Sequence, residues 1–174
     1  MSSFDPQTYG RAFAPLLDCD RRRTLGEGNP DSGSRAALEP LSAKSAFVHV
    51  DGGVKDRHMA ECCLAGVWLL HDFLDESHHI SQGVDTPSGS FWHGIMHRRE
   101  GDSSNAKYWF RHVGHHPVFE SLAEIAGDWD PFAFVDRCQA AVRTGKDREQ
   151  CVELQQAEWE ALFDYCYRRA VGED

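Results

Sequence analysis

The sequence lacks any apolar run long enough to cross a membrane, and it has fewer basic than acidic side chains. No window of about 18 consecutive apolar residues occurs, which argues against a membrane-spanning helix. The formal net charge of −10 argues against nonspecific binding to nucleic acid or to anionic membranes. The opening stretch MSSFDPQTYGRAF has no signal-peptide core. We therefore predict a cytoplasmic protein that binds neither nucleic acid nor membrane.

The six cysteines include no C-x-x-C pair, so a structural zinc site made of four cysteines is not expected. Cys62 and Cys63 are adjacent within an apolar run. Free cysteines are among the most buried residue types, and they persist as thiols in reducing compartments. The cysteines are therefore predicted to be small buried residues.

Segments with strand character are also scarce. Only residues 46–50, AFVHV, have the composition of a strand, and the pair Gly52-Gly53 ends it. Because one short strand cannot form a sheet, we predict a mainly α-helical fold with little or no sheet. We expect a single domain over residues 1–174, either a helical bundle or a short helical array.

Apolar residues recur with the helical period in most of the chain, and Gly, Asp and Pro mark the ends of these segments. The predicted helices cover residues 6–17, 56–76, 90–100, 103–113, 117–127, 131–143 and 147–170. Between the first two lies DRRRTLGEGNPDSGS, residues 20–34. Its Gly, Asp, Ser and Arg content predicts an exposed loop that contributes little to stability.

The segment 56–76 is predicted to be a buried central helix, because its side chains are apolar nearly all round from Met59 to Leu74. Asp56 is the expected N-cap. Trp68, Leu69 and Leu70 should be buried, and His71 follows them directly. Since burial disfavours the charged form of imidazole, His71 is expected to need a hydrogen-bonding partner.

Two predicted helices each carry histidine and carboxylate side chains at positions i, i+4 and i+7, which share one helix face. The first stripe consists of His71, Asp75 and His78. The second stripe consists of His93, His97 and Glu100. Adjacent helices that direct such groups inward are how metal sites in helical bundles are built.

Imidazole and carboxylate are ligands for zinc, iron, manganese or nickel, so a divalent transition metal is a possible cofactor. The candidate metal ligands are His71, Asp75, His93, His97 and Glu100. The second stripe is not H-E-x-x-H, because Gly94 occupies the position of the catalytic glutamate. Two alternatives stay open: a metal-free active site, or histidines that only cap helix ends. The candidate catalytic residues are His71, His93, His97 and Glu100.

Basic and aromatic side chains lie close to these histidines in the sequence. The candidate substrate-binding residues are Arg98, Lys107, Trp109 and Arg111. Arginine suits a carboxylate or a phosphate, which favours an anionic substrate. The alternatives are that the basic residues neutralise nearby Asp and Glu and that the aromatic residues belong to the core. His115 and His116, in the turn GHHPVF, are expected to be exposed.

Three strings together resemble a group of hypothetical bacterial and fungal proteins: CLAGVWLLHDFLDESHHISQ, GSFWHGIMHRREGD and SNAKYWFRHVGHHPVF. Members of that group carry similar W-H-x-I-x-H-R-R-E, N-A-K-Y-W-F-R and G-x-H-P strings. The likeness covers roughly residues 57–122. It implies that this block is the shared part, and it implies no reaction. An arginine often stands in that group at the position of His112.

The leading functional prediction is an enzyme or binder of a small anionic molecule, possibly metal-dependent. Its histidine-rich pocket should lie between the central helix and the helix at 90–100. The main alternative is a helical protein–protein interaction module. A weaker alternative is an HD-like metal phosphohydrolase, suggested by the adjacent His71 and Asp72. That family needs an earlier histidine on a helix, and the candidate here, His58, lies only 13 residues upstream, which is a short separation. Binding of haem through a histidine is a further weak option.

Overall fold

The computed structural model describes residues 4–173, and these residues contain nine α-helices and no β-strand. Helix makes up 65% of the described residues, which confirms the prediction of a mainly α-helical fold. No helix in the described range is both long and apolar enough to span a bilayer.

The helices follow one another through short connections, apart from two longer irregular stretches on either side of the shortest helix. A 3-10 turn, Pro6–Tyr9, leads directly into the first helix. The helices are α1 (Gly10–Leu17), α2 (Arg35–Leu38), α3 (Arg57–Leu70), α4 (Leu74–Ser81), α5 (Pro87–Glu100), α6 (Ser103–Val113), α7 (Pro117–Ala126), α8 (Pro131–Thr144) and α9 (Arg148–Val171).

Local capping explains why the helices from α5 onwards begin close to the predicted positions. At the start of α5, the Thr86 hydroxyl accepts a hydrogen bond from the backbone N–H of Gly89, and Pro87 occupies the first turn. Asp102 caps α6 by accepting from the backbone N–H of Asn105. Asp130 caps α8 in the same way, with Pro131 in the first turn.

Helix α3 is the centre of the molecule, as predicted, and eleven of its fourteen residues are buried. It packs against α4, α5 and α9. The contact with α5 and α9 requires a glycine, because a Cβ on Gly66 would come within 2.8 Å of the Trp92 ring and 3.3 Å of Phe163. The indole N–H of Trp159 donates to the Gly66 carbonyl at 2.9 Å. Burial of Trp68, Leu69 and Leu70 is confirmed.

The predicted continuous helix over 56–76 is wrong at its C-terminal end. It begins as expected, with the Asp56 carboxylate capping Met59, but it ends at Leu70. Asp72 has a φ of +63°, so the chain turns sharply before α4 begins at Leu74. The two halves of the first predicted stripe therefore lie on different elements, with His71 before the turn and His78 after it.

The predicted strand at 46–50 is also wrong, because these residues form turns. The backbone N–H of Val50 donates to the Phe47 carbonyl. The Phe47 ring is buried against Phe13 and Tyr167. Phe47 thus packs against α1 and α9 without forming a sheet, whereas the neighbouring Val48 is exposed.

The segment 20–34 has irregular backbone, but it is held to the helices more firmly than its composition suggests. Leu25 is only 1% exposed and packs with Phe134, Cys138 and Leu154. The Gln155 side chain donates to the backbone carbonyls of Arg23 and Thr24. These polar contacts do not depend on the residue types in the loop, which is why composition alone suggested a free loop.

Candidate metal centre

Three histidines meet where α4 and α5 pack together. One ring nitrogen from each of His78, His93 and His97 lies within 4.8 Å of the other two. Helix α5 supplies His93 and His97 from successive turns, and α4 supplies His78. The structure thus contains a histidine triad that could bind a metal ion.

The rings of the triad are arranged so that two are nearly parallel and the third is nearly perpendicular to both. His93 and His97 stack with centroids 4.8 Å apart and an interplanar angle of 16°. The His78 ring approaches His93 at 4.6 Å and 88°, and His97 at 5.3 Å and 81°. The His78 ring is therefore nearly perpendicular to the two stacked rings of His93 and His97.

His93 is the most unusual member of the triad, because it is 1% exposed and neither ring nitrogen has a hydrogen-bond partner among the described residues. Leaving a buried polar group unpaired costs about 1–3 kcal/mol. The Trp109 indole covers one face of the ring at 3.9 Å and 15°. Both ring nitrogens of His93 are thus buried without a partner among the described residues.

Burial lowers the pKa of His93 to about 3, and the positive charges that His97 and His78 can carry add to this effect. Burial also lowers the pKa of His78, again with a contribution from His97. Both imidazoles are therefore neutral at pH 7. Neutral imidazole is the form that ligates a metal, because the ligating nitrogen must have a free lone pair.

His97 has its orientation fixed by Glu100, which lies one turn further along α5. The Nδ1 atom of His97 donates to Oε2 of Glu100 at 2.8 Å. This bond places the proton on Nδ1 and leaves Nε2 with its lone pair. A carboxylate in this position is the usual outer partner of a metal-ligating histidine. Glu100 was a candidate ligand and catalytic residue, and its observed contact is with His97.

The triad is accessible from the side of His78, which is half-buried, whereas His93 and His97 are buried. Asp75, a candidate ligand, lies one turn before His78 and is exposed. The negative charges of Glu100 and Asp75 oppose the lowering of the His78 pKa. Asp75 is not part of the group whose ligand atoms converge.

His71 was a candidate ligand and catalytic residue, but both of its ring nitrogens have partners outside the triad. Its Nε2 atom lies 2.9 Å from the Leu16 carbonyl oxygen, and its Nδ1 atom lies 3.3 Å from Oδ2 of Asp31. His71 is 4% exposed and is the C-cap residue of α3. The expectation that it is buried and needs a partner is confirmed, but its partners join α3 to α1 and to the loop.

The candidate substrate-binding residues do not gather around the triad as cations. The Arg98 guanidinium, a candidate for substrate binding, is instead buried and paired with Glu158. Lys107 pairs with Asp136 at 2.6 Å, and Arg111 lies over the exposed Tyr108 ring at 5.9 Å. Only Trp109 contacts the triad, through its stacking on His93.

Two features escaped the interpretation of the sequence. The membership of His78 in the triad could have been inferred from Asp75-Glu76 followed by His78-His79, because acidic residues favour the start of a helix and basic residues its end. Such a signal would have indicated that α4 is a separate helix.

The prediction that His116 is exposed is wrong. The residue is 2% exposed and caps α7 through Nδ1, which accepts a hydrogen bond from the backbone N–H of Val118.

Two surface cavities lie away from the triad. One, of about 830 Å³, lies between the N-terminal turn and α9, and its lining includes Tyr9, Asp164 and Tyr167. The other, of about 1040 Å³, lies beside α4, and its lining includes Leu64 and His79. No histidine of the triad lines either cavity.

Comparison of the chain with models of protein families, with curated proteins and with solved structures finds no match. The interpretation of the triad therefore depends on its own geometry and chemistry.

Proposed function

We propose that the His78–His93–His97 triad binds a divalent transition metal, with zinc as the best match, and that the protein is a metal-dependent enzyme acting on a small molecule. One observation carries this proposal. His93 is buried between Trp109 and two other imidazoles, and its ring nitrogens have no partner among the described residues. A metal ion would satisfy the nitrogen that faces the other two histidines.

The spacing of the triad supports a metal of this size. Zinc–nitrogen bonds are about 2.0–2.1 Å, so two nitrogens bound to one tetrahedral ion lie roughly 3.3 Å apart. The observed limit of 4.8 Å differs from this by an amount that side-chain rotation can remove. Because His78 is half-buried and comes from a different helix, it has room to rotate towards the other two.

The number of ligands favours catalysis over a purely structural role. Structural zinc sites are closed by four protein ligands, whereas catalytic sites use three and keep one position open. Three imidazoles converge here, and Glu100 is engaged with His97. A metal ion bound in this way supplies Lewis acidity and lowers the pKa of a coordinated water to about 7. We therefore propose a hydrolytic reaction.

The protein's own residues divide the remaining tasks. Glu100 orients His97 and keeps its Nε2 lone pair available. Trp109 covers one face of His93 and keeps water from it. The half-buried side of His78 provides access for a small molecule. Because Arg98 and Lys107 are paired with carboxylates, the proposal does not specify an anionic substrate.

The interaction module remains the second candidate, and the aromatic residues between positions 89 and 119 bear on it. Tyr108 is 45% exposed, with His112 and Arg111 beside it, which would suit a partner protein. Phe91, Trp92 and Phe110 are buried in the core instead. One exposed aromatic side chain is a small anchor, so the proposal of an enzyme has the better support.

For the HD-like alternative, the two defining side chains are already engaged. Asp72 pairs with Arg99 at 2.5 Å, and His71 contacts Leu16 and Asp31. Neither side chain is directed at a shared site, so we do not pursue this alternative.

Metal analysis of protein purified without an affinity tag or chelator tests the proposal. We expect close to one equivalent of zinc, iron, manganese or nickel per chain, or stoichiometric binding when the metal-free protein is titrated with Zn²⁺ or Co²⁺. The His93→Ala variant should lose this binding while remaining helical by circular dichroism. Hydrolysis of p-nitrophenyl acetate and p-nitrophenyl phosphate would then be measured with and without the metal.

A matched control is available on the same helix as His78. His79 is its immediate neighbour, it is exposed, and it lies outside the triad. The His79→Ala variant should bind metal as the wild type does. Equal binding by the wild type, His93→Ala and His79→Ala would show that the triad is not the site. A folded wild-type protein that binds no metal would leave the interaction module as the better proposal.

A further inference from the structure

The corner between α3 and α4 determines where His78 lies. His93 and His97 share one helix, so their relation is set by the geometry of α5 alone. His78 is the only triad member on a different helix, and it lies six residues beyond Asp72. Asp72 has a φ of +63°, a conformation that Asn and Asp tolerate better than other residues with a Cβ.

Arg99 holds this corner from α5, two residues after His97. Its Nη1 donates to the Leu69 carbonyl at 2.9 Å, near the end of α3. Its Nη2 donates to Oδ1 of Asp72 at 2.5 Å. The Arg99 side chain is 3% exposed. The same helix that carries two histidines therefore grips the turn that sets the position of the third.

The loop at 20–34 closes over the other side of the Asp72 carboxylate. The backbone N–H of Asn29 donates to Oδ2 at 3.2 Å. The carboxylate also packs against Gly28, where an added Cβ would lie 2.5 Å from Asp72 Cγ. Arg99 bonds in addition to the backbone carbonyls of Gly26 and Glu27. Both oxygens of Asp72 thus have partners, and the turn is restrained from two directions.

We propose that the Arg99–Asp72 ion pair is a positioning device for the triad: it fixes the corner between α3 and α4 so that His78 meets His93 and His97. The inference rests on the proposed function in taking a metal ion as the ligand of the triad. Neither residue contacts the imidazoles through any of the interactions described above. Their effect on the site is transmitted by the direction of α4.

The pair acts by preorganisation. Two hydrogen bonds from the buried Arg99 guanidinium go to the corner, at Leu69 and Asp72, and two more join it to the loop at Gly26 and Glu27, so the corner is restrained before any ligand arrives. When the pair is lost, α4 can move relative to α5. The metal must then also order His78, and the free-energy cost of this ordering weakens binding. Loss of a side chain that hydrogen-bonds a metal ligand typically weakens metal affinity 10–100-fold, and we expect an effect of similar size when the ligand His78 itself is misplaced.

Two substitutions of Asp72 test its role at the corner: one keeps the favoured backbone conformation and the hydrogen bond to Arg99, and the other loses both. Asp72→Asn tolerates a positive φ and retains an oxygen that can accept from Arg99, so its affinity for Zn²⁺ should stay close to that of the wild type. Asp72→Ala loses both the favoured conformation and the partner of Arg99. We expect Asp72→Ala to bind Zn²⁺ 10–100-fold more weakly and to show an altered Co²⁺ absorption spectrum, because coordination by His78 is impaired.

Asp147 provides a matched control. It also has a positive φ, +55°, and precedes α9 without a side-chain cap hydrogen bond. Asp147→Ala introduces similar backbone strain away from the triad, so its Zn²⁺ affinity and Co²⁺ spectrum should match those of the wild type. If Asp72→Ala also retains the wild-type affinity and spectrum, the positioning inference is wrong. Equal losses in both alanine variants would reveal a general stability effect and would also overturn it.

Hydrogen exchange distinguishes this inference from the proposed function. Absence of Zn²⁺ and Co²⁺ binding by the wild type would refute the metal centre but not the corner. In that case, amide exchange across residues 74–81 still reports whether the pair holds α4. We expect faster exchange there in Asp72→Ala than in Asp147→Ala and the wild type. Unchanged protection of these residues in Asp72→Ala would refute the positioning role whether or not metal binds.

Discussion

The guanidinium of Arg98 on α5 and the carboxylate of Glu158 on α9 form a two-point ion pair in the interior of the protein. The distances are 3.0 Å between Nη1 and Oε1 and 2.5 Å between Nη2 and Oε2. The side chains are 1% and 0% exposed. The Phe134 ring covers the guanidinium at 4.6 Å. Arg98 therefore joins α5 to α9, and its neighbours in sequence, His97 and Arg99, serve the site and the corner.

Removing one member of this pair should destabilise the protein strongly. In Glu158→Ala the Arg98 charge stays buried without its partner, which typically costs about 3–5 kcal/mol. We expect a loss of this size in the free energy of unfolding measured with urea. Asp136→Ala breaks the partly exposed pair with Lys107 and should cost less than about 1 kcal/mol. Comparable losses in the two variants would contradict a special role for the buried pair.

His93 should lower the stability of the metal-free protein, because its unpaired imidazole is buried. Replacement by phenylalanine keeps a ring against Trp109 and removes the unpaired polar atoms. We expect His93→Phe to be more stable than the wild type by about 1–3 kcal/mol in the presence of EDTA. Denaturation with urea measures this difference. A His93→Phe variant less stable than the metal-free wild type would show that the imidazole is satisfied in the folded state.

Metal binding should reverse the order of these two proteins. A ligand that binds only the folded state stabilises it by about 2.7 kcal/mol at a free concentration 100 times the Kd. Addition of Zn²⁺ should therefore raise the melting temperature of the wild type and leave that of His93→Phe unchanged, and a chelator should return the wild type to its metal-free melting temperature. Equal shifts in both proteins would indicate that zinc binds elsewhere.

Most helix boundaries were predictable because their signals are local. Thr86-Pro87, Asp102 and Asp130-Pro131 each satisfy backbone N–H groups within three residues. Local spacing likewise placed His93, His97 and Glu100 on one face, and the structure shows His97 bonded to Glu100 and close to His93. This half of the site requires no knowledge of the remainder of the chain.

The other half depends on contacts between distant residues. Asp72, where the chain turns, contacts Arg99, 27 residues later, and the buried Arg98 contacts Glu158, 60 residues later. Helical periodicity assumes a continuous helix, so it aligned His71 with His78 across a corner that it cannot detect. An arginine beside histidines also has the same sequence signature whether it binds a substrate or an internal carboxylate.

The loop at 20–34 shows the same limit, and Leu25 allows a test. Composition predicts that the segment is dispensable, but Leu25 is 1% exposed and contacts the cluster formed by α8 and α9. Leu25→Ala should lower the free energy of unfolding by about 2–5 kcal/mol, as is usual for a buried leucine. Replacement of the exposed Asn29 by alanine should have little effect on packing. A loss below about 1 kcal/mol in Leu25→Ala would support the original prediction that the segment contributes little to stability.

His116 links the stability of the fold to pH through its neutral tautomer. Its Nδ1 accepts from the backbone N–H of Val118 at 3.3 Å, so the proton lies on Nε2, which donates to the Ser88 hydroxyl at 3.0 Å. Protonation of Nδ1 would place two N–H groups against each other at the start of α7. Burial lowers the pKa of His116 to about 4, with smaller effects from His115 and Arg169.

The pH dependence follows from the direction of this shift. In the unfolded chain the pKa of His116 is 6.5, so the unfolded state binds more protons between pH 6.5 and about 4. The contribution of neutral His116 is fully present above pH 6.5 and is lost as the pH falls towards 4. A shift of this size corresponds to about 3 kcal/mol.

His116→Asn retains a capping acceptor but does not titrate, so its free energy of unfolding should decline less than that of the wild type between pH 6.5 and 4. The comparison requires EDTA, because a metal bound at the triad adds its own pH dependence. Parallel declines in the two proteins between pH 6.5 and 4 would show that His116 is not the titrating group.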